Sequence, residues 1–188
     1  MAHMSLTKHQ QTELLAIARE SIIHGLKYGT SLSIHLADYR GELIEPRATF
    51  VTLTHHQQLR GCIGTLEAIR PLVVDVAENA FAAAFRDPRF QPLTEPELTG
   101  LDLHISMLTP AVALHFRSEQ DLLSQLRPNI DGLILEEGRH RATFLPSVWE
   151  TLPAPIQFLD HLKQKAGLPS HYWSKTIKAY RYTAESIA

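Results

Sequence analysis

The run Leu59-Arg60-Gly61-Cys62-Ile63-Gly64-Thr65 sets the chain's single cysteine between two glycines and two residues after an arginine. A thiolate is the reactive form of cysteine, and a nearby positive charge lowers the thiol pKa from its usual value near ~8.5. Residues two apart on a strand point the same way, which puts Arg60 on the face of Cys62. Gly61 and Gly64 weaken a strand and ask for a reason, either a bulge or close approach of a ligand to bare backbone. Cys62 is therefore a candidate nucleophile or redox thiol, and its competing role is that of a small core hydrophobe.

Arg60 and Arg89 each offer a planar fork of donors suited to a carboxylate or a phosphate. With Gly61, Gly64 and Thr65 they form the candidate ligand-binding set. Asp87, two residues before Arg89, is either an internal ion-pair partner or a second catalytic candidate. Asp131 in Asp131-Gly132 reads as turn chemistry, with a general acid or base role if its hairpin reaches the site. The 11 histidines are scattered. No H-E-x-x-H or paired C-x-x-C occurs, so no metal site is read. His104 and His115 would meet across paired strands, with His104 beside Cys62. No phosphate-binding glycine loop is present, and no cofactor can be named.

Length and charge bound the setting of these residues. The chain has 188 residues, 44% hydrophobic and 20% charged, with net charge -2, which suits one cooperative domain. Without a basic field, nucleic-acid binding is the weakest function class. No run approaches the roughly 20 apolar residues of a membrane helix, and one cysteine makes no internal disulfide. A cytoplasmic protein is expected. Met1-Ala2-His3 before Met4 reads as a vector remnant and is set aside.

The elements that must position the site follow from periodicity. Leu14, Leu15, Ala18, Ile22, Ile23 and Leu26 predict a helix from Lys8 to Tyr28, with a Thr7/Gln10 capping box and Gly29 closing it. Residues 29–47 read as a long excursion with one short strand. Alternation over 48–54 and 59–64, around the polar stretch 55–58, predicts a hairpin. Pro71 opens a helix to about Phe85 that packs on it. Asp87 to Leu93 is a rigid loop, followed by a short Thr94/Glu97-capped turn of helix. Leu101 to Met107 alternates as a strand, with Ala111 to Phe116 as its partner. Ser118 caps a helix ended by Pro128, and Gly138 divides a second hairpin. A helix over 155–166 and a strand over 176–183 complete an α+β fold, mostly antiparallel.

The Leu59 to Thr65 run also resembles the signature of the AMME-chromosomal-region protein family, or AmmeMemoRadiSam system protein A. Phe50-Val51-Thr52-Leu53, Asp87-Pro88-Arg89-Phe90, Pro92-Leu93-Thr94 and Ile105-Ser106-Met107-Leu108 resemble its pattern in order. So do Asp131-Gly132-Leu133-Ile134-Leu135, Phe144-Leu145-Pro146, Val148-Trp149-Glu150 and Lys165-Ala166-Gly167-Leu168-Pro169. The resemblance spans about residues 10 to 187. It implies a single α+β domain of two unequal lobes, with the arginine-cysteine strand bordering an interlobe cleft. It also implies association with a Memo-like protein and a radical S-adenosylmethionine protein, without supplying a reaction. His104, Ser147 and His55-His56 depart from the family pattern. Two functions fit: binding or modifying a small anionic ligand in the cleft, or serving as a non-catalytic adaptor that holds a partner protein there.

Overall fold

Thr7 accepts from the amide of Gln10 and Gln10 reaches back to the amide of Thr7, so the predicted capping box opens the first helix. A computed structural model describes residues 5–188, and the Met1-Ala2-His3 reading lies outside them. The chain runs α1 (Lys8–Tyr28), β1 (Ala48–His55), β2 (Gln58–Gly64), α2 (Leu72–Phe85), β3 (Leu101–Leu108), β4 (Val112–Ala113), α3 (Glu119–Gln125), β5 (Gly132–Glu137), β6 (His140–Phe144), α4 (Pro155–Lys165), β7 (Lys178–Tyr182) and β8 (Ala184–Ile187). This is the expected α+β class. It falls into two compact units, one reaching Leu108 and taking back Glu185–Ala188, the other Thr109–Ala184.

In the first unit the sheet order is β2-β1-β3-β8, with β1 antiparallel to both neighbours. Val51, Leu53 and Ile105 turn one face inward against Leu72, Val73, Val76 and Ala80 of α2. Burying such side chains contributes about 1.5–3 kcal/mol each. α1 packs on α2, and Ser21 ties the two helices by donating to the carbonyl of Ala77 at 2.7 Å. The approach of α2 to β2 is unusually close. A Cβ on Gly61 would lie 2.1 Å from the Ala83 carbonyl oxygen. In the second unit the order is β4-β7-β5-β6, all antiparallel. Its core stacks Trp149 on Phe158, ring centroids 3.8 Å apart.

Four sequence expectations are corrected. Residues 29–47 hold no strand but two 3-10 turns, Leu36–Asp38 and Gly41–Ile44, and a lone bridge from Pro46 to Pro71. Among its apolar residues only Leu43 is fully buried, so the segment has no face to commit to a sheet. The stretch 111–116 does not partner β3, because β1 and β8 occupy both of that strand's edges; only Val112–Ala113 pairs, and with β7. His104 and His115 therefore do not face each other across paired strands. The first hairpin forms as expected, turning on two residues, His56 and Gln57, both at positive φ (49° and 68°). That suits a tight turn matched to strand twist, achieved here without glycine. Finally, Asp131 is more than a turn residue. It is fully buried, its carboxylate accepting from Arg127 N at 2.8 Å, Nε at 3.0 Å and Nη2 at 2.7 Å.

Substituting Gly61→Ala forces a methyl group into backbone rather than into a yielding side chain. Overpacking of this kind costs typically about 1–3 kcal/mol. The expected result is a lower urea midpoint at unchanged slope. An unshifted midpoint would show that α2 can move off the sheet at no cost.

Candidate functional site

Cys62 lies on β2, an edge strand, opposite Thr52 of β1, which is in turn opposite His104 of β3. Directly opposed residues share a face, so the three side chains form one row across the sheet face turned away from α2. All three are half-buried. Cys62 Sγ and Thr52 Oγ1 are 3.2 Å apart and hydrogen-bonded. His104 thus shares the row of Cys62, one strand further over, with Thr52 between them.

Arg60 is placed differently from the simple alternation. Leu53 opposes Gly61 and Thr54 opposes Leu59, leaving Arg60 unopposed in a bulge. Leu59, not Arg60, therefore shares the face of Cys62, because the extra residue resets the period of two. Arg60 instead engages the loop that follows α2. Its Nε donates to Glu97 Oε1 at 2.7 Å, and its Nη2 to the Gln91 carbonyl at 2.7 Å and Glu97 Oε2 at 3.3 Å.

The same loop closes the strand edge at Cys62. The Cys62 amide donates to Asp87 Oδ2 at 3.0 Å. Asp87 also accepts from the Arg89 amide at 3.1 Å, Nε at 3.0 Å and Nη2 at 2.7 Å. An edge strand presents unpaired amides, and a carboxylate covering one removes a template for unwanted pairing. Arg60 and Arg89 do come together, both lying against the Phe90 ring at 5.7 and 5.5 Å from its centroid. Each arrives already paired, Arg60 with Glu97 and Arg89 with Asp87.

The two glycines and Thr65 have internal explanations. The space beside Gly61 belongs to the Ala83 backbone, and a Cβ on Gly64 would fall 2.2 Å from the Phe50 ring. Their bareness admits the protein's own atoms rather than a ligand. Thr65 donates to Asp75 at 3.0 and 3.1 Å and belongs to a separate buried cluster. There Asp75 also accepts from Thr49 Oγ1 at 2.6 Å, Arg70 Nε at 2.9 Å and Asn79 Nδ2 at 3.0 Å.

The electrostatics follow these contacts. The Arg89 guanidinium, aided by the amides of Cys62 and Arg89 and opposed by burial, holds the Asp87 carboxyl well below the usual carboxylate range. Arg60, aided by the Thr94 amide and hydroxyl and opposed by burial, lowers Glu97 to about 2. Asp87 is thus a saturated anion, suited to fixing Arg89 and the strand edge rather than to exchanging protons. Among the described residues no group of three His, Cys, Asp or Glu is arranged to hold a metal ion. No helix among them is long and apolar enough to cross a membrane.

Sequence reasoning missed Glu97 as the partner of Arg60, Thr52 as the partner of Cys62, and the Asp75 cluster. Asp75 and Asn79 did leave a signal: with Glu78 they are the three polar residues of a helix otherwise apolar all round. The pairing of Glu97 left none, since its capping role alone explained it.

A chain of two antiparallel sheets with this arginine-cysteine edge defines a class for which relatives exist. The AMMECR1 family model matches residues 15–187, and the chain belongs to that family. A Methanothermobacter thermautotrophicus protein is 35% identical over 192 residues, covering 98% of this chain and 97% of that one. A Methanopyrus kandleri protein is 34% identical, with 96% and 88% covered. The crystal structure of an uncharacterised Pyrococcus horikoshii protein superposes with a TM-score of 0.89 at 32% identity, over 96% of this chain and 92% of the other.

Asp87 and Glu97 bind protons more weakly in the folded chain than in the unfolded one. Their stabilisation is therefore complete above the unfolded values near ~4 and is lost as pH falls from there through about 2 and below. Urea midpoints between pH 5 and pH 2 check this. Asp87→Asn should be less stable at pH 5 and flatter in its acid dependence, whereas a curve parallel to that of the parent chain would remove Asp87 from the account.

Proposed function

We propose that the chain binds a small anionic group at Arg60, on the edge of the Cys62 strand. The observation that carries this reading is one nitrogen. Arg60 Nη1 is buried and has no hydrogen-bond partner among the described residues. A buried donor left unsatisfied costs about 1–3 kcal/mol, and an acceptor brought by a ligand recovers it. Glu97 and the Gln91 carbonyl fix the guanidinium through its other nitrogens, so the free donor is held in place. Arg89, paired with Asp87 and with about half its side chain exposed, lies beside the same Phe90 ring.

In this reading Cys62 supplies a half-exposed thiol on the same strand, with Thr52 as its hydrogen-bond partner. Gly61 and Gly64 keep α2 and Phe50 close and so shape the strand, and Thr65 anchors its end to Asp75. Asp87 holds the Cys62 amide in position. The ligand belongs to a pathway shared with a Memo-like protein and a radical S-adenosylmethionine protein, with Cys62 as the candidate reactive thiol beside it.

Titration with orthophosphate, followed by backbone amide NMR, tests the binding. Saturable shifts are expected over residues 59–65 and 89–97, with affinity lowered about tenfold or more by Arg60→Ala, as for loss of a charge-assisted donor. Native-state alkylation of Cys62 by iodoacetamide should slow when phosphate is bound. Shifts that ignore Arg60→Ala would sink the anion reading. An inert thiol in the folded chain would leave Cys62 a packing residue, and partner capture that survives alkylation would favour a non-catalytic adaptor.

A further inference from the structure

The first unit carries a cavity of about 410 Å³ that the Arg60 reading does not use. Arg70, Glu78, Asn79 and Arg86 line it from α2 and the residues just before and after, and Thr30 and Ser31 from the segment after α1. Cavities of a few hundred cubic ångströms with a few convergent polar groups are the usual form of a small-molecule site.

The charges in this cavity are built rather than dispersed. Fully buried Asp75 takes Arg70 through Nε at 2.9 Å and Nη2 at 2.7 Å. Asn79, itself 3% exposed, accepts from Arg70 Nη2 at 3.3 Å, and Glu78 pairs with Nη1. Arg70 is therefore a fixed and fully paired wall. Arg86 is the opposite case. Its guanidinium lies 5.1 Å from the Phe81 centroid, and no carboxylate or carbonyl acceptor engages it among the described residues. The hydroxyls of Thr30 and Ser31 are likewise without partners there.

Arg70 is thus already balanced by Asp75 and Glu78, and the open guanidinium of the lining is that of Arg86. With no acceptor engaging it, the Arg86 fork beside Phe81 remains available to a planar or tetrahedral oxyanion. We infer that this cavity binds a small molecule through a carboxylate or phosphate group, gripped by Arg86 and by the hydroxyls of Thr30 and Ser31, with the Arg70–Asp75–Glu78 cluster as its rigid wall. The site is separate from Arg60 and does not depend on it.

Residue-resolved NMR titration of the full chain decides the matter, with orthophosphate in one arm and acetate in the other. Saturable shifts at Thr30, Ser31, Phe81 and Arg86 are expected in at least one arm, and the stronger arm identifies the group. Arg86→Ala should weaken that binding about tenfold or more, and Arg86→Lys, which keeps the charge but loses the fork, should weaken it less. Arg86 is exposed, so both variants should keep the parent circular dichroism spectrum. Arg60→Ala should leave these shifts unchanged, which separates this site from the strand-edge site. No saturable shift at these residues in either arm, or unchanged affinity in folded Arg86→Ala, would overturn the inference.

Discussion

The first unit depends on a single close approach, that of the α2 backbone at Ala83 to the bare Cα of Gly61. Any side chain at position 61 would push the helix from the sheet. Because α2 rests there, Leu72, Val76 and Ala80 reach Val51 and Leu53, and the chain leaving α2 turns back along the edge of β2. The loop carrying Asp87, Phe90, Gln91 and Glu97 is thereby laid against the strand that holds Arg60 and Cys62. The glycine that makes the sequence motif conspicuous is a packing device, and the set of charged groups laid along the edge is its consequence.

Most of the charge at that edge is internally neutralised. Asp87 and Arg89 satisfy each other, and Arg60 is shared between Glu97 and a carbonyl. Such pairs fix geometry more than they add stability, since the desolvation of each ion offsets much of the attraction. What they leave over is informative. One Arg60 nitrogen is held without an acceptor, and one thiol is half-exposed beside a hydroxyl.

The second unit uses buried charge in a purely architectural way. Asp131 organises Arg127 through three bonds while its carbonyl receives the Trp149 indole at 2.8 Å. Fully buried Lys163 reaches Glu119 at 2.7 Å and the Ser170 carbonyl at 3.2 Å, joining α4 to the start of α3. Neither group is among the buried polar atoms left without a partner, in contrast to Arg60 in the first unit.

Local physics was legible in the sequence. The limits of α1, its Thr7 cap and Gly29 end, both hairpins, the Thr94/Glu97 box and the apolar face of α2 all follow from spacing, capping and alternation within a few residues. The candidate residues were also visible as types, because cysteine, arginine and glycine are conspicuous in one strand. Their relations were not. The bulge that turns Arg60 away from Cys62 depends on register against β1, and the partners of Arg60 and Cys62 lie 37 and 10 positions away. The strand expected at 111–116 failed because both edges of β3 were already filled by segments distant in sequence. Sequence by itself determined which residues can form each element and which can carry chemistry, because those properties are set by nearest neighbours. Tertiary structure alone decided which of those groups remain free to act, because a charge or donor is used up only by whatever the fold brings against it.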